Sequence, residues 1–201
     1  MKAEFEQRLM DKYPKIFSQK DLSVMQTCMC WGIETGDGWA AIIDALCQSI
    51  QWHVDNEERH QKIMRDSHKS FWNVIFVGFI KGWRRRYWWN DLPYRILTWW
   101  RYRESFEKWT IEHNLQVEAS QVKEKFGGMR FYTSGTDDFV EGLIHMAEQW
   151  AARTCEYCGM PGKLRGGGWL STLCDKCAEE KQVPDFKEES EEESEEEEKD
   201  E

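Results

Sequence analysis

Four cysteines near one end of this chain constrain its folding more than any other feature. Cys155 and Cys158 are separated by two residues, as are Cys174 and Cys177, and fifteen residues lie between the pairs. Two intervening residues let both sulfurs of a pair point at one ion about 2.3 Å away. A spacer of this length accommodates a hairpin that returns the second pair to the first. Gly159, directly after Cys158, supplies the backbone room and the positive φ that a metal knuckle needs. Cys174-Asp175-Lys176-Cys177 runs into Ala178-Glu179-Glu180-Lys181, a good helical start. Cys177 is therefore expected in a first helical turn, where the helix dipole favours a thiolate.

Knuckle, hairpin and a ligand-bearing helix start, in that order, resemble a treble-clef zinc finger, with a zinc ribbon as the close alternative. So short a segment buries little apolar surface alone. Zinc binding, worth roughly 10–16 kcal/mol in zinc-finger peptides, would supply most of its folding energy. Four sulfur ligands close the coordination shell, so the expected zinc is structural and not catalytic. Four reduced cysteines without metal, or an iron–sulfur cluster, are the competing readings. Cys28, Cys30 and Cys47 read as small buried hydrophobes.

The compartment expected is the cytoplasm. Met1 to Leu9 is charged and lacks the apolar stretch of a secretory signal. The longest apolar run, Phe71 to Ile80, is interrupted by Asn73 and is half the length needed to span a bilayer. In a reducing compartment, paired cysteines argue for metal over disulfides. The formal net charge of −10 is concentrated: Lys187 to Glu201 carries eleven Asp/Glu and two Lys, leaving about −1 on the other 186 residues. This acidic tail has no apolar residue and is expected to be disordered.

Residues 3–12 read as a short amphipathic helix stopped at Tyr13-Pro14. Gly36-Asp37-Gly38 signals a turn, with Asp37 placed to cap a helix from about Trp39 to Asp55 whose Ile42, Ile43, Leu46, Ile50, His53 and Val54 share one face. A polar helical segment, Glu57 to Ser70, follows. Leu115 to Lys123 and Met129 to Thr133 read as a hairpin around Phe126-Gly127-Gly128. A helix over about 139–153 follows, with Asp138 and Glu141 as a capping box and Phe139, Leu143, Ala147 and Trp150 facing the core. The fold class expected is α+β: a helical N-terminal part, a β-hairpin plus helix, and a C-terminal treble-clef-like or zinc-ribbon module. The domains expected are a helical and hairpin core over 1–56 and 114–153, an aromatic and basic insertion over 57–113, a zinc module over 154–183, and a disordered acidic tail over 184–201.

Two stretches suggest binding. Lys81 to Arg103 holds seven Lys/Arg and one Asp among many aromatics. There Arg84, Arg85 and Arg86 can meet phosphates while Trp88 and Trp89 stack on bases. A membrane interface is a second reading of the same composition, and a packed insertion is the plainest. The loop Lys163-Leu164-Arg165-Gly166-Gly167-Gly168-Trp169 is another contact point, with Lys163 and Arg165 as its cations; a simple hairpin turn is the competing reading. Glu34, Asp37, Asp44 and His53 lie near one another in sequence without forming a legible catalytic motif, so the residues lean toward binding over catalysis.

Gly36-Asp37-Gly38-Trp39, Gln121-Val122-Lys123-Glu124-Lys125-Phe126-Gly127-Gly128-Met129-Arg130-Phe131-Tyr132, Cys155-Glu156-Tyr157-Cys158-Gly159, Gly167-Gly168-Trp169 and Leu173-Cys174 together resemble a family of uncharacterised proteins carried by tailed bacteriophages and prophages. The resemblance spans roughly the first 55 residues and 116–178. It implies a setting, the cytoplasm of an infected bacterium, and no mechanism. The function expected is a small zinc-containing accessory protein that contacts nucleic acid or a host protein handling nucleic acid. The alternatives are a host-takeover factor binding a host protein and an enzyme, a hydrolase or nuclease, with an unrecognised site.

Overall fold

The computed structural model describes residues 1–82, 115–166 and 169–185, with backbone alone at Met64 and over 67–82. Arg84, Arg85, Arg86, Trp88 and Trp89, the rest of the basic aromatic stretch after Gly82, Gly167, Gly168 and the acidic tail lie outside the described residues. The protein is α+β. Its elements are α1 (Ala3–Lys12), β1 (Ile33–Glu34), α2 (Ala40–Gly82), β2 (Glu118–Lys125), β3 (Gly128–Ser134), α3 (Asp138–Ala151), β4 (Lys163–Arg165), β5 (Ser171–Leu173) and α4 (Asp175–Lys181), with short 3₁₀ turns before α2. Two compact units form, one from Met1–Ile50 with Val117–Glu201, the other Gln51–Gln116.

In the first unit β2 is the central strand of a three-stranded sheet, parallel to β1 and antiparallel to β3. The β2–β3 hairpin turns through Phe126 and Gly127, at φ 53° and 76°. Two successive positive φ values match the right-handed twist of the strands. Glycine adopts this conformation freely, whereas a bulky residue in it costs on the order of 1 kcal/mol. Ala119 and Val122 are both fully buried although three apart, which strict alternation forbids. A bulge at Ser120, where the pairing jumps from Ala119 to Gln121, restores both to the inner face. The Ser120 carbonyl accepts the Thr27 hydroxyl at 3.1 Å.

The core of this unit draws Leu9, Tyr13, Ile16 and Phe17 from α1 and the turn after it, and Ile42, Ile43, Leu46, Cys47 and Ile50 from α2. Val122, Met129 and Phe131 come from the sheet, and Val140, Ala147 and Ala151 from α3. Cys47 is thus a core residue, and burial pushes its thiol far up. The end expected for α2 near Asp55 is corrected: the helix continues unbroken to Gly82, because no proline interrupts it and the polar segment after Asp55 favours helix. Gln51 to Gly82 belongs to the second unit, where Val54 and Gln61 are buried.

Two capping expectations are corrected. Asp37 does not cap α2; its carboxylate accepts the backbone N–H of Lys2, the N-cap of α1, at 2.6 Å and pairs with the Lys2 ammonium at 3.3 Å. The helix over 138–151 is capped one residue earlier than expected, by Asp137, whose carboxylate accepts from Val140 N at 2.9 Å. Its inward face is also rotated, with Phe139 and Trp150 exposed. Glu148 accounts for the rotation: it accepts the free edge N–H of Phe131 at 3.2 Å and pairs with Arg130 at 3.3 Å, so this side of α3 lies along the open edge of β3.

Replacing Asp137 by Ala should cost about 1 kcal/mol of unfolding free energy, and replacing Asp138 less than about 0.5 kcal/mol. Urea melts followed by circular dichroism measure both; a larger loss for Asp138 than for Asp137 would place the cap at Asp138.

Candidate metal centre

The four cysteines converge. Their Sγ atoms all lie within 4.8 Å of one another, and those of Cys158 and Cys174 are 3.6 Å apart. A tetrahedral ion with bonds of about 2.3 Å holds its sulfurs about 3.8 Å apart, so the donor set and spacing fit a four-coordinate metal ion.

Local geometry explains the convergence. Cys155 opens a knuckle in which Gly159 N donates to the Cys155 carbonyl at 2.9 Å and Cys155 N to the Met160 carbonyl at 2.7 Å. Gly159 closes that knuckle at φ 75°, the conformation expected of it. The β4–β5 hairpin leads back to Cys174, and Glu156 N donates to the Thr172 carbonyl at 3.0 Å, tying knuckle to hairpin. Cys174 is the N-cap of α4, its sulfur 3.5 Å from Cys177 N, which sets Cys177 in the first helical turn. Knuckle, hairpin and helix therefore follow in treble-clef order. Among the described residues the apolar core around them consists of Cys155, Leu173, Cys177 and Ala178, with Cys174 and Val183 at its margin.

Electrostatics set the demand for a cation. Burial resists ionisation of Cys155, but the backbone groups of Cys174, Cys158 and Tyr157 outweigh it and bring the thiol down to about 7. Cys177 moves the other way, driven up by burial and by the thiols of Cys174, Cys158 and Cys155. One thiolate forms readily here and opposes the next; a divalent ion removes that opposition.

The knuckle does not stand alone. Gly36 N donates to Glu156 Oε1 at 2.9 Å, Gly38 N to the Glu156 carbonyl at 2.7 Å, and the buried Trp39 indole to the Thr154 carbonyl at 2.7 Å. Any Cβ on Gly38 would collide with the backbone of Cys155, Glu156 and Gly159. The sequence presents Gly36–Trp39 as a turn, and nothing local to it signals this docking on a knuckle more than a hundred residues away. The β2–β3 turn docks on the other side, where the Thr172 hydroxyl donates to the Gly127 carbonyl at 2.6 Å.

The two cations expected as contact points divide. Lys163 is exposed, 3.1 Å from Asp185. Arg165 is buried, a correction to its expected role at a binding surface: its guanidinium is spent on Asp175, Asp185 and, at 3.1 Å, the Leu173 carbonyl. It ties β4 to α4 and to the chain beyond it. Of the carboxylates considered for catalysis, Asp44 is held by Lys12 and Tyr13, each at 2.8 Å, and Asp37 by Lys2.

Removing metal with a strong chelator should lower the melting temperature of the whole first unit and perturb the near-ultraviolet signal of buried Trp39. Gly38→Ala should cost more than about 3 kcal/mol and weaken metal retention. An unchanged melt on chelation would mean that the docked knuckle holds without the ion.

No family model, curated protein or solved structure matches the chain.

Proposed function

We propose that the protein is a small zinc-containing accessory binding protein of tailed bacteriophages, working in the host cytoplasm on nucleic acid or on a host protein that handles it. The observation carrying the metal part is the convergence of four sulfurs within 4.8 Å. An all-thiolate tetrahedral set suits zinc, and its closed shell makes the ion a scaffold, leaving recognition to the protein surface. No helix among the described residues is long and apolar enough to cross a membrane. Support for nucleic acid comes from the sequence of Lys81 to Arg103, where clusters of cations and indoles lie close together, the residue types a strand-tracking surface uses. The phage setting rests on the sequence resemblance.

A second reading, a host-takeover factor gripping a host protein, is favoured by the exposure of Trp31, Trp52 and Trp150. A hydrolase or nuclease remains the third alternative, and turnover of phosphodiester or ester substrates by the purified chain would establish it.

Purified protein should carry one zinc per chain by elemental analysis. It should bind labelled DNA or RNA at low salt, with a logarithmic salt dependence that flattens when Arg84, Arg85 and Arg86 are replaced by Ala. Absence of any binding at low salt refutes the nucleic-acid reading; absence of zinc refutes the metal assignment, independently.

A further inference from the structure

Within the first unit, the tip of the β2–β3 hairpin meets the β4–β5 hairpin. The Gly127 carbonyl accepts from Thr172, and a Cβ at Gly127 would touch the Leu164 side chain and the backbone of Leu170 and Ser171. One residue back from this contact on each hairpin stands an aromatic side chain: Phe126, 73% exposed, and Trp169, 77% exposed. The strand face running up to Phe126 is the one opposite buried Val122, Met129 and Phe131. The register Lys123↔Arg130 and Gln121↔Tyr132 puts Lys123, Lys125 and Tyr132 together on it. Lys125 Nζ lies 5.3 Å from the centre of the Phe126 ring and Lys123 Nζ 6.0 Å from that of Tyr132. Neither lysine has a carboxylate partner among the described residues, unlike Lys12 and Lys163, which do. Phe126 also occupies a left-handed turn position for which asparagine or glycine is better suited. Backbone strain of this kind persists where the side chain is wanted for another purpose.

We infer that Lys123, Lys125, Phe126, Tyr132 and Trp169 form a binding surface for single-stranded nucleic acid, with bases stacked on Phe126 and Trp169 and phosphates on the two lysines. The surface presupposes the nucleic-acid role proposed above and adds where on the described fold, and in which strandedness, that role is exercised. Single strands are favoured because solvent-facing rings need base faces, which a duplex keeps stacked inside. The metal module takes part by holding the Trp169 hairpin against the Phe126 turn.

The test uses the full-length, zinc-loaded chain and fluorescein-labelled oligo-dT and oligo-U, with a duplex of the same length, read by anisotropy. Phe126→Asn suits the turn and should leave the melting temperature unchanged or higher, yet weaken single-strand binding about 5- to 100-fold, as should Trp169→Ala. Lys123→Gln with Lys125→Gln should lower the slope of log affinity against log salt by about 1.4. If the wild type binds but these variants bind as well as it does, while replacement of Arg84, Arg85 and Arg86 abolishes binding, this surface is refuted and the general reading stands. Equal or tighter binding of the duplex refutes the single-strand assignment. A wild type that binds no nucleic acid refutes both.

Discussion

The four cysteine Sγ atoms of the first unit lie within 4.8 Å of one another, a spacing that fits one four-coordinate metal ion. Cys155 is biased toward the thiolate by the backbone around it, while Cys177 is biased against it by its neighbours. A bound cation would satisfy both. The knuckle that positions Cys155 and Cys158 is bound by Gly36 through the Glu156 carboxylate, by Gly38 through the Glu156 carbonyl and by Trp39 through the Thr154 carbonyl, so the module is mechanically coupled to the N-terminal part of the chain.

That coupling explains why sequence motifs lying more than a hundred residues apart belong together. Gly38 is small because Cys155, Glu156 and Gly159 occupy the space a side chain would need. Trp39 is fully buried because its indole N–H finds the Thr154 carbonyl, which would otherwise lie unpaired beside the metal ligands. Gly127 brings the central hairpin against β4–β5, and Arg165, its charge divided between Asp175 and Asp185, closes the module from the other side. A four-cysteine module held on this many sides is coupled to more than the thirty residues that contain it.

Where sequence reading went astray, the errors share a cause. The helix over 138–151 carries two adjacent apolar stripes that share Ala147, the expected one through Phe139, Leu143, Ala147 and Trp150, the buried one through Val140, Ala147 and Ala151. Periodicity alone cannot choose between them. The choice is made by Glu148 capping the exposed edge of β3 and by the small Ala147 and Ala151, which permit close approach. Arg165 read as a free cation because its partners lie ten and twenty residues further along the chain. The Ser120 bulge, likewise, is visible only once β2 meets β3.

Spacing by itself determined the four-cysteine cluster, the knuckle glycine at 159, the hairpin around Phe126-Gly127 and the first helix, because each depends on residues a few positions apart. Tertiary structure decided what Asp37 binds, which face of α3 is inward, what the Gly36–Trp39 motif holds, and that the Phe126-Gly127 turn docks on the β4–β5 hairpin. Those outcomes depend on groups brought together from distant parts of the chain, where hydrogen-bond demand and steric room are set by the partner and not by the local sequence.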